Sequence, residues 1–230
     1  MNDKLRLGVF LVLFSALSFV FYSVNLSYIW GSQAQSFTMF QFIGPVGGGI
    51  LGPGIGAAIA VGVDFAAKVI LGKMSWDLVG FIRLFTVAAA ALCFGMVRGN
   101  KWAGIVIPVA GMALFWANPV GAEAWGYALL WLIPVAASLF ASNLFARSLA
   151  STFQAHVIGS LAFLYLVGLP ASAWWALIPL VLVERTLFAA GISVTYVFLN
   201  SIVNYVMERM HVKTGLVRIE PAYAYLRVNK

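Results

Sequence analysis

FTMFQFIGPVGGGILGPGIGAAIAVGVDFAAKVILG, residues Phe37 to Gly72, decides how the rest of the chain is read. Gly44, Gly48, Gly52, Gly56, Ala60, Asp64, Lys68 and Gly72 recur at intervals of four, and Pro45 and Pro53 interrupt the run. Glycines four apart let a second backbone approach closely inside a membrane. Glycine and proline breaks are also how transporters build sites from interrupted helices. Each step of four overshoots a full turn by about 40°, so the eight members spiral and cannot share one face. The stretch therefore divides into a packing half, Gly44 to Gly56, and a charged half around Asp64 and Lys68.

The surrounding composition places that stretch in a bilayer. At 63% hydrophobic and 9% charged, with a mean hydropathy of +0.97, the chain lies far outside the soluble globular range. Apolar runs of about 18 residues or more recur, whereas a transmembrane barrel would alternate in segments of roughly ten. The expectation is an all-α, polytopic transmembrane bundle of about six spans plus the glycine- and proline-broken segment at 37–72. Residues 1–207 form a single membrane domain, and residues 208–230 a short basic cytoplasmic tail. The N-terminal apolar run lacks an A-x-A cleavage site and reads as a retained first helix.

The spans are expected at about Leu7–Trp30, Leu78–Val97, Lys101–Trp116, Ala124–Ala146, Ser151–Val167 and Trp174–Met207. Asn118 to Glu123 reads as a turn, and Arg147 as punctuation between two helices. The net charge of +7 follows the positive-inside bias of cytoplasmic loops, and no soluble basic face exists for nucleic acid. Arg98/Lys101, Arg147 and the basic tail fall inside and Glu123 outside. Lys4 and Arg6 put the N-terminus inside as well. Both hold only if residues 37–72 cross twice or not at all, as a re-entrant pair or two short helices broken around Gly52-Pro53-Gly54. The chain is thus expected in the cell membrane of a prokaryote with both termini cytoplasmic.

Ionisable groups at membrane depth are costly and face the protein interior or a water-filled cavity. Asp64 and Lys68, four apart, share a helix face and can pair. Arg83 sits in the first turns of its helix. Glu184 and Arg185 lie deep in an apolar run about 100° apart around the axis, which directs each to a partner on another helix: Asp64 for Arg185, Lys68 or Arg83 for Glu184. Gln154, His156 and Gln41 complete the candidate substrate-binding set, with Asn200 and Asn204 as polar lining or interhelical glue. Gly44, Gly48, Gly52 and Gly56 are candidate helix-packing positions. Trp30, Trp102, Trp174 and Trp175 read as interfacial belts, and Cys93 as core packing.

No G-x-x-x-x-G-K-[ST] and no H-E-x-x-H occurs, and the last apolar run has no lysine for a retinal Schiff base. Neither an enzyme, a cofactor nor a resident metal is expected. The G-P-V-G-G-G-I-L-G-P-G-I-G segment leading to Asp64, the Arg83 helix after a short loop, and Leu-Ile-Pro179-x-x-x-x-Glu184-Arg185 resemble the substrate-binding S-components of energy-coupling-factor transporters. They resemble uncharacterised prokaryotic membrane proteins of similar length and pattern too. The resemblance implies uptake of a small molecule, vitamin-like or a metal ion. It also implies partners: a transmembrane coupling subunit and two ATPase subunits. The first helix departs from the Ala-x-x-x-Ala docking face of many S-components and offers Ser23-x-x-x-Ser27. Two other readings remain: a stand-alone ion- or proton-coupled transporter, and a scaffold whose glycines pack against partner helices.

Overall fold

The computed structural model describes residues 3–28, 36–209, 215 and 217–226. Ten helices and one two-stranded hairpin make up these residues: α1 (Asp3–Tyr22), β1 (Asn25–Tyr28), β2 (Ser36–Thr38), α2 (Phe40–Ile50), α3 (Pro53–Ile70), α4 (Leu78–Met96), α5 (Trp102–Ala117), α6 (Pro119–Glu123), α7 (Trp125–Ala128), α8 (Leu132–Leu139), α9 (Leu144–Leu166) and α10 (Ala171–Arg209). The fold is an all-α bundle in which α3, α4, α9 and α10 are long and apolar enough to cross a membrane. Their outward faces fit that role, since Ile70, Val183 and Val194 are each about 70% exposed and would meet water at a cost.

The glycine-rich stretch folds into two helices. Gly52, at φ +84°, turns the chain, and Pro53 opens α3 at a position where its missing N–H costs nothing. α2 and α3 then lie against each other so closely that a Cβ on Gly56 would run into the backbone of Gly47 and Gly48. On its other face α2 meets α4. There a Cβ on Gly44 would strike the Val87 side chain, and one on Gly48 the Ala91 carbonyl. Gly44, Gly48 and Gly56 are thus sites of close helix approach, whereas Gly52 is a turn beside the Arg218 side chain.

Two large hydrophobic cores share the bundle, beside a smaller cluster of Cys93, Val97, Ala137, Ala141 and Ala150. One joins α1, α2, α3 and α4 to the later part of α10 through Phe14, Phe40, Ile43, Val87, Phe94 and Tyr196. The other joins α5, α7, α9 and the early part of α10 around Phe115, Trp131, Phe153 and Trp174. α4 packs against α2, α3 and α9, and so ties the two together.

Several expected boundaries move. The first helix ends at Tyr22, not Trp30, because the chain turns into the β1–β2 hairpin, which pairs Asn25 with Thr38 and Ser27 with Phe37. Ser23 and Ser27 therefore share no helix face, and Trp30 lies outside the described residues. Asn118 to Glu123 is a capped helix, since the Asn118 side chain accepts from the Val120 and Gly121 amides at 3.0 and 3.4 Å. The span expected at Ala124–Ala146 is broken into α7, a 3₁₀ turn at Leu129–Trp131 and α8. Pro134 supplies the cause, because it withholds the N–H that an α-helix would give to the Leu130 carbonyl. α9 begins at Leu144, capped by Asn143, which puts Arg147 inside a helix. Outside the spans, the Asp77 carboxylate caps α4; the Gly80 amide and then the Ser75 hydroxyl hold it below the usual carboxylate range.

Candidate functional site

The seam between the two cores opens into a cavity of about 130 Å³. Seven helices and β2 line it. α3 brings Asp64 and Lys68, α4 brings Arg83, α9 brings His156 and Ser160, α7 brings Tyr127, and α10 brings Trp174, Glu184 and Arg185. Gln41 enters from the start of α2, Tyr22 from the end of α1, and Phe37 and Thr38 from β2. Seven of the eight residues read from the sequence as substrate-binding therefore line one cavity. Gln154 is the eighth: it is fully buried on another face of α9 and donates to the Gly104 carbonyl of α5 at 3.0 Å.

Four of the cavity's charged groups approach a neighbour on their own helix. The Lys68 ammonium donates to Asp64 Oδ2 at 2.7 Å, as expected for residues four apart. Glu184 and Arg185 were expected to seek other helices; their side chains also approach each other to 3.6 Å. The Arg185 side chain is long enough to curl back along the helix, although the two Cα–Cβ bonds diverge. Its guanidinium also donates to Thr152 Oγ1 at 3.3 Å and lies 4.4 Å from the Phe188 ring and 4.9 Å from that of Phe37. Delocalised charge between aromatic faces suits a guanidinium with only 2% of its surface exposed.

His156 carries a directional hydrogen-bond chain. The Trp131 indole, which can only donate, gives its proton to His156 Nδ1 at 3.2 Å. The neutral ring must then hold its own proton on Nε2, which lies 2.9 Å from the Tyr127 hydroxyl and 3.3 Å from that of Ser160. Both ring nitrogens are thereby engaged, and among the described residues no group of three His, Cys, Asp or Glu side chains could hold a metal ion.

The far end of the bundle holds a second ionic cluster that was not foreseen. Glu220 bridges Arg98 at 2.6 Å and Arg147 at 3.0 Å, and accepts from the Tyr196 hydroxyl at 3.1 Å. Arg147 is further held over the Phe94 and Tyr196 rings, at 4.5 and 4.8 Å. Asn200 pairs with the backbone of Glu220 in both directions, at 2.9 and 3.0 Å, and Asn204 donates to the Leu226 carbonyl. The two asparagines therefore hold the C-terminal segment and do not line the cavity above. Trp174, expected in an interfacial belt, is 1% exposed and forms a cavity wall, whereas Trp102 and Trp175 are exposed. Cys93 is buried in the core.

The fold and site together define an apolar helical bundle with a charged, aromatic-walled cavity. No family model matches the chain, and no curated protein or solved structure matches it.

Proposed function

We propose that this chain is an integral membrane transport protein whose cavity binds a small molecule for uptake, as the substrate-binding subunit of a multi-subunit transporter does. One observation carries the reading: side chains from eight elements converge on one cavity inside a bundle with four helices long enough to span. Groups so costly to bury are retained at membrane depth where a substrate or ion uses them. A pocket of mixed apolar and convergent polar character is also what small-molecule sites look like.

The distribution of charge supports an orientation. Arg98, Lys101, Arg147 and Arg218 lie at the end away from the cavity, whereas Lys73, Asp77 and Glu123 lie at the cavity end. By the positive-inside rule the cavity faces outward and the 217–226 segment is cytoplasmic. The proposed topology is about six spans plus the α2–α3 pair, in the cell membrane of a prokaryote. Without a nucleotide-binding motif of its own, such a protein would draw energy from a transmembrane coupling subunit and ATPase subunits.

The test is to purify the protein from membranes and identify the small molecules that leave with it. Glu184→Ala and Arg185→Ala should each lose the bound compound while eluting as folded monodisperse protein. Unchanged ligand content in both variants would remove the site assignment.

A further inference from the structure

The end of the bundle away from the cavity carries an open cleft of about 480 Å³. The α4–α5 connection brings Arg98, Asn100 and Lys101 to one side of it, and the end of α8 brings Leu139 and Ser142 to the other. Among the described residues, Arg98 and Lys101 are its charged lining, and no carboxylate joins them there. Glu220 meets Arg98 at Nη1 from outside the cleft and is shared with Arg147, so one carboxylate faces two guanidinium groups. The Arg98 side chain is still 55% exposed, and Lys101 is exposed as well, so a ligand arriving from outside reaches both. Apolar surface begins at the rim. Trp102 lines the cleft and opens α5. Trp102, Val106 and Val109 share one helix face and are each more than half exposed, as are Leu139 and Phe140 at the end of α8.

We infer that this cleft seats the phosphate of an anionic glycerophospholipid, whose acyl chains lie along the Trp102–Val109 face of α5. The inference rests on the membrane reading above and is independent of the cavity and its ligand. Basic pockets between helix ends at the bilayer surface hold anionic headgroups, and an indole at the end of a lipid-facing helix sits at headgroup level. A guanidinium and an ammonium side by side match a phosphate in charge and in donors. A free phosphate ion would meet the same two cations and leave the apolar face unused. A zwitterionic lipid would bring its own ammonium against Lys101. A lipid of net negative headgroup fits the cations and the face together.

The readout is thermal unfolding of the full chain in a non-ionic detergent, washed free of native lipid. Phosphatidylglycerol should raise the unfolding temperature saturably, and phosphatidylcholine with the same acyl chains should not. Lys101→Gln changes an exposed side chain outside the Glu220 cluster and should weaken the apparent affinity for phosphatidylglycerol about fivefold, while Lys101→Arg keeps it. Lys73→Gln, at an exposed cation of the cavity end, should leave it unchanged. An equal effect from phosphatidylcholine, or a Lys101→Gln affinity equal to that of the parent, would overturn the inference. A shift from inorganic phosphate or glycerol phosphate as large as that from the lipid would do so too, by showing that the cleft takes a free phosphate. Release of the protein from cell membranes by alkaline carbonate would overturn the membrane reading itself. Retention there, with no preference for the anionic lipid, would overturn the lipid site alone.

Discussion

At the level of single residues, Arg147 shows what burial of charge demands. Its side chain is 5% exposed and one of its guanidinium nitrogens reaches Glu220 at 3.0 Å, so the pair is largely removed from water. Truncating one member of such a pair leaves the other charged and uncompensated. Glu220→Ala should therefore destabilise the bundle by about 3 kcal/mol, measured by reversible unfolding in mixed micelles. Adding Arg147→Met to that variant should recover most of the loss, because an apolar side chain of similar volume needs no counter-ion. No recovery would mean that Glu220 acts through its contacts with Arg98 and Tyr196. Asp64 and Lys68 were legible as a pair from their spacing alone, since four residues make one turn. Glu220 was not legible, because a carboxylate in a polar terminal stretch looks solvated until its partners, 73 residues away in the case of Arg147, are known.

Among the elements, α2 and its neighbours depend on atoms that are absent. Gly48 touches the Ala91 carbonyl, where a methyl group would overlap backbone that cannot yield cheaply. Gly48→Ala should cost about 1–3 kcal/mol in the same unfolding measurement. Gly62, on α3 with nothing near its missing Cβ, is the control: Gly62→Ala should be neutral or stabilising by up to about 1 kcal/mol. Equal effects at the two positions would show that close packing is not what the α2–α4 contact requires. The four-residue spacing announced these contacts, and Gly52-Pro53 announced the break. Hydropathy could not show where α1 stops. Val24, Leu26, Tyr28, Ile29 and Trp30 are as apolar as the helix before them, and only pairing with Ser36–Thr38 makes a strand of part of that run. Arg147 misled for a related reason, since a charge in a run of alanines and leucines looks like a loop when its counter-ion lies elsewhere in the sequence.

For the molecule as a whole, the two ends of the bundle are chemically unlike, and the proposed orientation can be tested without a ligand. Cys93 is buried, so introduced cysteines can be read over a low background. Ser75→Cys, at the cavity end, should react with a membrane-impermeant maleimide in intact cells. Ser142→Cys, beside Arg98 and Lys101, should react only after the membrane is opened. The reverse pattern would turn the protein over and make the cavity face the cytoplasm. The apolar all-α class was legible from composition, and seven of the eight polar residues singled out by their apolar surroundings line the cavity. That they meet in one cavity was not legible, because convergence between helices depends on crossing angles that no local pattern records. Trp174 was missed for the same reason: its place beside a helix end resembles an interfacial belt, and only the packing of α10 on α7 turns it inward.

Glu220 has a consequence for the order of synthesis. Arg147 is made with α9, yet its counter-ion is made 73 residues later, after the whole of α10. At synthesis rates of about 5–20 residues per second the ribosome works for some 4–15 seconds while α9 carries an unanswered charge. The Arg147 contact cannot form until the 217–226 segment arrives. Formation of this contact is therefore a late step, and a chain halted before residue 220 would hold all ten α-helices described above and still leave Arg147 without the Glu220 carboxylate.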